Sequence, residues 1–337
     1  MATRPTIRDV ADAAGVSVST VSRVFTQPEL FRAETRAKVH AAAERLRYVP
    51  SRSATALTTG RTGNVGLIVP NLANPLFPEM VKSAQHRLRG HNLAALLGDS
   101  DDDADDELRL VHALGKDVDG LILFSSLLHD EQIDLIRQLS PTVFVNRRVD
   151  GFHCVLVDAL PGMRALVQYL SNLGHTSALY LSGPDNAWAA HDRQQAMVRA
   201  GEEAGLQVDV TEPRRPLFES GVAAADQLVH GRLPTVVVCF NDVMALGLTA
   251  RLLELGVEVP HQVSVVGWGG SALAGHSTPA VTTVAVPFAE LGAAAVDELL
   301  AARDEQKEPA GQVLDPAPVI LEVSLVTRAT TARARTR

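Results

Sequence analysis

The sequence is poorest in the residues that would mark a secreted, metal-binding or catalytic protein. Its 337 residues include two cysteines, Cys154 and Cys239, each inside an apolar strand-like run (FHCVLVD and TVVVCFND). Without a CxxC or a Cys/His cluster, they read as reduced core cysteines and exclude a disulfide framework or a thiolate metal site. The eleven histidines show neither HxxxH nor HExxH spacing. No GxSxG, P-loop, GxGxxG or Ser/His/Asp order occurs in a context that would give it catalytic meaning, so neither an enzyme nor a cofactor is expected. No apolar run reaches the length of a membrane span, and the first residues lack the basic-then-apolar pattern of a signal peptide. A cytoplasmic protein without membrane contact is the expectation. Leucine heptads are also missing after Leu325, which excludes a coiled-coil tetramerisation segment there.

The acidic run DSDDDADDE (99–107) does not make a calcium loop. Counted from Asp99, the sixth and twelfth positions are Ala104 and Leu110 where an EF-hand needs Gly and Glu. Acids ahead of a helix are favoured by the helix dipole, which accounts for the run. The net charge of −8 conceals a division. Residues 1–61 hold ten Lys/Arg against five acids, net +5, which leaves −13 on the remainder. A basic head on an acidic body suits a polyanion-binding module joined to a separate domain.

In the head, Ile7, Val10, Ala11 and Ala14 line one face of a helix. Gly15 breaks it, and Ser17 is placed to cap a second helix that carries Val21 and Val24 inward. Two short helices across a tight glycine turn form a helix-turn-helix, whose second helix can enter a DNA major groove. A third helix runs from about Ala33 to Arg47 and ends at Tyr48-Val49-Pro50. Ser51 to Thr59 could form a helix too short to be stable alone, a candidate hinge.

From residue 64 short apolar strands (VGLIV, LAALL, GLILF, TVFV, then CVLVD, ALYLSG, TVVVC, VSVVG) alternate with amphipathic helices. Continuous apolar strands between helices indicate parallel sheets covered on both faces. Two such sets imply two doubly wound subdomains with a ligand crevice at the carboxyl ends of their strands. The expected organisation is a helix-turn-helix over 1–50, a hinge helix and linker over 51–61, and a core over 62–330. Its subdomains are about 62–160 plus 290–316 and 161–289 plus 317–330, with a disordered basic tail over 331–337.

The segments DVADAAGVSVSTVSRV, YVPSRSATAL, TGNVGLIVPNLANPLF, LGH (173–175), CFNDVMALG, VPHQVSVVG and TPAVTTVAVP resemble, in order and spacing, the LacI/GalR family of bacterial transcription regulators over roughly residues 6–327. The resemblance implies an all-α helix-turn-helix head with a hinge helix, then an α/β core like the type I periplasmic binding proteins. It implies a homodimeric repressor on a palindromic double-stranded DNA operator, switched by a small-molecule effector such as a sugar, sugar acid or sugar phosphate. A solute-binding protein of the same core fold is the alternative, which the basic head disfavours. Val18 and Ser19 begin the recognition helix, and Arg23, one turn on, can donate two hydrogen bonds to a guanine. Thr6, Ser17 and Ser22 are phosphate-contact candidates that set register. Leu57 matches the family leucine that wedges into the minor groove, with Ala54 alongside. In the core, Leu76, Phe77, Asn146, Arg193 and Asn241 fall where the family touches its effector, and Trp268 could stack on it or fill the core. Asn241 also reads as a helix N-cap. His191 could reach the same pocket.

Three departures from the family pattern stand out. Thr26 replaces a frequent Asn. Arg214-Arg215-Pro216 stands where an aromatic is common. Gly267-Trp268-Gly269-Gly270 replaces Gly-aromatic-Asp-Asp, so a carboxylate that accepts from sugar hydroxyls is lost. Keeping Arg193, with Arg147 or Arg215 nearby, makes the pocket more electropositive and suits an acidic or phosphorylated effector.

Overall fold

The computed structural model describes residues 5–48, 61–137, 139–305 and 316–335. They fall into two units, the N-terminal segment to Asn64 with Asp117–Asp119, and the rest. The hinge helix expected over 51–61, with Ala54 and Leu57, lies outside the described residues except for Arg61.

In the small unit, α1 (Ile7–Ala14) opens with a reciprocal cap. The Asp9 carboxylate accepts the Thr6 amide at 2.7 Å, and the Thr6 hydroxyl accepts the Asp9 amide. Gly15 ends the helix at φ 69°, in the left-handed region that glycine enters without penalty. Ser17 Oγ accepts the Thr20 amide at 3.1 Å and so starts α2 (Val18–Thr26). A 3-10 turn at Pro28–Leu30 leads into α3 (Ala33–Leu46). Val10, Val21, Val24 and Val39 are buried with Ala11, Ala42 and Ala43 in a core of small side chains. Val21 and Val24 thus point inward, as their spacing requires.

The large unit begins with β1 (Asn64–Val69), α4 (Leu76–Gly90), β2 (Ala94–Asp99), α5 (Ala104–Leu114), β3 (Leu121–Phe124), α6 (Asp130–Ile136), β4 (Thr142–Val145) and β5 (His153–Val157). The chain continues through α7 (Ala159–Asn172), β6 (Ser177–Leu181), α8 (Trp188–Ala204), β7 (Gln207–Val210) and α9 (Phe218–Val229). Next come β8 (Val236–Cys239), α10 (Asp242–Glu254), β9 (Ser264–Gly269), α11 (Ala272–His276) and β10 (Thr282–Ala285). It ends with α12 (Phe288–Glu305), β11 (Val319–Leu321) and β12 (Ser324–Val326). One sheet has the order β11-β5-β4-β3-β1-β2 and the other β12-β10-β9-β8-β6-β7. Every residue of β3, β4, β5 and β8 is buried, because helices cover both faces.

Three details differ from expectation. Residues 317–330 do not all join the second subdomain, because β11 pairs in parallel with β5 of the first sheet. Two residues later the chain has crossed and reversed, so β12 runs antiparallel to β10 in an otherwise parallel sheet. The tail is not free either. Tyr169 Oη and Thr331 Oγ1 are 2.8 Å apart, and the Ala334 amide donates to Leu173 O at 2.8 Å. Arg335 donates to Leu233 O at 2.7 Å. A composition poor in apolar residues conceals such anchoring, which works through hydrogen bonds rather than apolar burial.

Candidate functional site

A cavity of about 470 Å³ opens between the two sheets, within the size range of small-molecule sites. Its wall uses residues just past the carboxyl ends of β1 (Pro70), β3 (Ser125), β4 (Asn146), β6 (Pro184), β8 (Asn241) and β10 (Val286). The first turn of α4 supplies Leu76 and Phe77, and the second turn of α8 supplies Arg193. Three wall residues, Asp102, Ser125 and Asn146, have φ between 46° and 61°, a backbone strain that collects at binding sites.

Of the expected effector residues, Leu76, Phe77, Asn146, Arg193 and Asn241 are brought together on this wall. Arg193 is 8% exposed, with Cζ 4.6 Å from the Phe240 ring centre and 5.0 Å from that of Trp268. One N–H group donates to Phe240 O at 3.2 Å, while Nε has no acceptor. Burial pulls its pKa down to about 10, so it stays charged at neutral pH. Asn146 donates to Ser125 Oγ at 3.1 Å. The Asn241 side chain is already committed, its Oδ1 accepting the Met244 amide and its Nδ2 donating to Pro216 O.

Trp268 does not reach the cavity. It is 1% exposed, absent from the wall, and lies beneath Arg193 as the platform for the guanidinium. His191 is also off the wall, with Nδ1 3.3 Å from Ala187 O on its own helix. Arg147 is not on the wall either, its Nη1 donating instead to Ser126 O and Leu128 O. Arg214 and Arg215 do line it, and Arg215 Nη2 stands 3.6 Å from Asp102 Oδ2 across the opening.

Sequence reasoning missed Glu107. It is 2% exposed, accepts the Leu127 amide at 2.7 Å, and also bonds the Ser126 hydroxyl and Leu128 amide. Burial pushes its carboxyl pKa up. Glu107 and Arg147 thus grip the turn that carries Ser125 and Leu127 to the cavity, one by its N–H groups and one by its carbonyls. The available signal was spacing, since Glu107 lies four residues before the buried Val111 on the inner face of α5.

In the head, Ser17, Val18, Ser19 and Arg23 are exposed and Ser22 is half-buried, on the side of α2 away from Val21 and Val24. Val18 is 41% exposed, unusual for an apolar side chain at a helix start. Thr6 and Ser17 spend their hydroxyls on capping, with Ser17 Oγ also 2.8 Å from Ser19 Oγ and Thr20 Oγ1. Thr26 donates to Ser22 O at 3.0 Å inside its own helix.

Residues 6–51 match the model of bacterial regulatory proteins of the lacI family, and residues 167–331 match a periplasmic binding protein-like domain. The chain is 31% identical over 325 residues to the HTH-type transcriptional repressor PurR of Vibrio cholerae, covering 94% of this chain and 96% of that protein. The chain belongs to the lacI family. The Escherichia coli repressor CytR is 30% identical over 329 residues, covering 96% of each chain. The Bacillus subtilis regulator DegA is 31% identical over 300 residues, 86% of this chain and 89% of that one. Among solved structures, a lac repressor dimer bound to operator and the anti-inducer ONPF superposes with a TM-score of 0.85 at 28% identity, covering 98% and 100% of the two chains. A complex of the regulator CelR with cellobiose gives 0.70 at 27% identity, covering 97% and 100%. This lacI-family chain is therefore a DNA-binding transcriptional repressor with a ligand-binding core. No helix among the described residues is long and apolar enough to cross a membrane.

Proposed function

We propose that this repressor, as a homodimer on a palindromic operator, controls genes for the uptake or breakdown of a small carboxylic acid that binds in the cavity. The observation that carries this reading is Arg193, a buried guanidinium on the cavity wall whose Nε finds no acceptor. Asp192 and Asp242 act on it through space without a hydrogen bond, and an acid supplies the direct bidentate partner. Of the carbohydrate classes that the sequence suggests, a sugar acid brings a carboxylate, a neutral sugar brings none, and a phosphate brings more charge than one buried guanidinium balances.

In the head, Val18, Ser19 and Arg23 read base edges, while Ser17, Ser22 and Thr6 face phosphates. Ala54 and Leu57 act in the minor groove. An effector that prefers one closure of the two subdomains shifts the population of DNA-competent dimers by its differential affinity. Protein and the DNA upstream of its own gene, run in a mobility-shift assay with and without carboxylic acids, test this. An acid that changes operator affinity supports the reading; a response to neutral sugars alone overturns it.

A further inference from the structure

The cavity is chemically divided, and the division selects among acids. At one end lies Arg193, the buried one of the three arginines on the wall. Beneath it the Tyr180 hydroxyl and Trp268 Nε1 are buried without partners, as is Arg193 Nε. In register, Tyr180, Val238 and Val266 run straight across β6, β8 and β9, and Trp268 shares their face. The Tyr180 and Trp268 groups lie behind the wall, so on the wall itself this end presents the Arg193 N–H groups, with the Asn241 oxygen already taken by the Met244 amide. It suits a carboxylate, which only accepts, better than hydroxyls, which must also donate.

The other end is apolar. Phe77 and Met80 from α4 face the cavity with Phe288 and Leu291 from α12. Where the family's hydroxyl-accepting carboxylate would stand, Gly269 has no side chain, and a Cβ there would meet both Leu76 methyl groups at 3.1 Å. Asp242 Oδ2 also lies 3.4 Å from that position, but its carboxylate is fully buried and held by Ser271 and Thr283, so Leu76 rather than a free acid packs there. The two aspartates on the wall do not change this. Asp102 is half-buried, accepts from Asn71 Nδ2 at 2.9 Å and faces Arg215, while Asp185 is exposed.

We propose that the effector is a monocarboxylic acid with an apolar body, its carboxylate on Arg193 and its body against Phe77, Met80, Phe288 and Leu291. This rests on the acid-effector reading above and narrows it. Burying such a body releases ordered water and gives a negative heat-capacity change.

Calorimetry on the full-length protein, with benzoate, cyclohexanecarboxylate, gluconate, 6-phosphogluconate and glucose as probes, tests the proposal. The expected result is that benzoate or cyclohexanecarboxylate binds at least tenfold tighter than gluconate or its phosphate, with no heat from glucose. Arg193→Lys, which keeps the charge but loses the fork, weakens that binding about tenfold, and Met80→Gln, compared on protein that still binds operator, shrinks the preference over gluconate. Gluconate binding as tightly as the apolar acids overturns this inference and leaves the acid-effector reading standing. Binding of glucose alone overturns both, and failure of both apolar acids to bind overturns the inference.

Discussion

Arg193 holds its charge in a place where charge is expensive, with rings on two sides and one carbonyl for a partner. Asp192 and the fully buried Asp242 offset that charge through space without a hydrogen bond to it. Arg193→Met is expected to lose acid binding by more than 30-fold, read by titration on protein that still unfolds cooperatively in scanning calorimetry. At Gly267 the constraint is packing. A Cβ there would lie 2.3 Å from Asp242 Oδ1, and that carboxylate already accepts the Thr283 hydroxyl at 2.7 Å and the Ser271 amide at 2.6 Å. Gly267→Ala is expected to cost about 1–3 kcal/mol through overpacking, measured as a lower denaturant midpoint. His175 adds a pH dependence. It is buried, with Nε2 donating to Ala332 O at 3.1 Å and Nδ1 2.9 Å from Thr235 Oγ1, and burial holds its pKa below the usual 6.5. The unfolded chain then takes up this proton first as pH falls. Stability is present above pH 6.5 and declines below it, by at most about 1.4 kcal/mol per pH unit, until the folded imidazole also protonates. His175→Gln should flatten unfolding free energy between pH 7 and 5; an unchanged slope would show that other groups set it.

At the scale of elements, α2 joins capping to recognition. Ser17 fixes where the helix starts, and that start decides that Val18, Ser19 and Arg23 face outward while Val21 and Val24 face the core. Ser17→Ala is expected to cost about 1 kcal/mol, visible as faster amide exchange at Thr20. Arg23 forms no hydrogen bond or ion pair among the described residues, which leaves its fork for a base edge. Arg23→Ala should lower operator affinity by about 1–3 kcal/mol and relax sequence preference, whereas a uniform loss across all DNA sequences would make it a phosphate contact. Elements of this kind were legible in the sequence because capping residues, glycine stops and apolar spacing act locally. Eight of the twelve strands among the described residues were legible for a related reason, since continuous apolar runs have few alternatives, while the short or polar β7, β10, β11 and β12 were not read. The cavity was only half legible. Leu76, Phe77, Asn146 and Arg193 came from the family resemblance, with which their positions after a strand or near a helix start agree. Trp268, left open between stacking and core, is core, and Arg147 and His191 lie off the wall, because rotamers and burial, not chain position, decide whether a side chain faces a crevice or the backbone behind it. Glu107 was hidden for the same reason, a buried carboxylate inside a run whose other acids are solvated.

For the whole molecule the constraint is thermodynamic. The chain crosses between its two sheets after β5, after β10 and between β11 and β12, so the cavity lies where relative movement of the subdomains changes its walls. The Asp102–Arg215 pair spans that opening at 3.6 Å, both side chains reaching solvent, which makes it a weak latch rather than a lock. An effector acting through such a core alters operator affinity only by its different affinity for the operator-competent and incompetent states. Linkage then requires the reverse effect to be equal: an acid that weakens operator binding by some factor must itself bind weaker, by that same factor, to the operator complex. Titrating the acid into free protein and into protein saturated with operator measures one side of this cycle. Titrating operator with and without saturating acid measures the other. The two ratios should agree whether the acid releases the repressor or recruits it, and coupling of this type is commonly 5–150-fold, about 1–3 kcal/mol. An acid that binds the cavity tightly yet shows the same affinity in both titrations would be a bystander, and the true effector would have to be sought among ligands that discriminate between the two states.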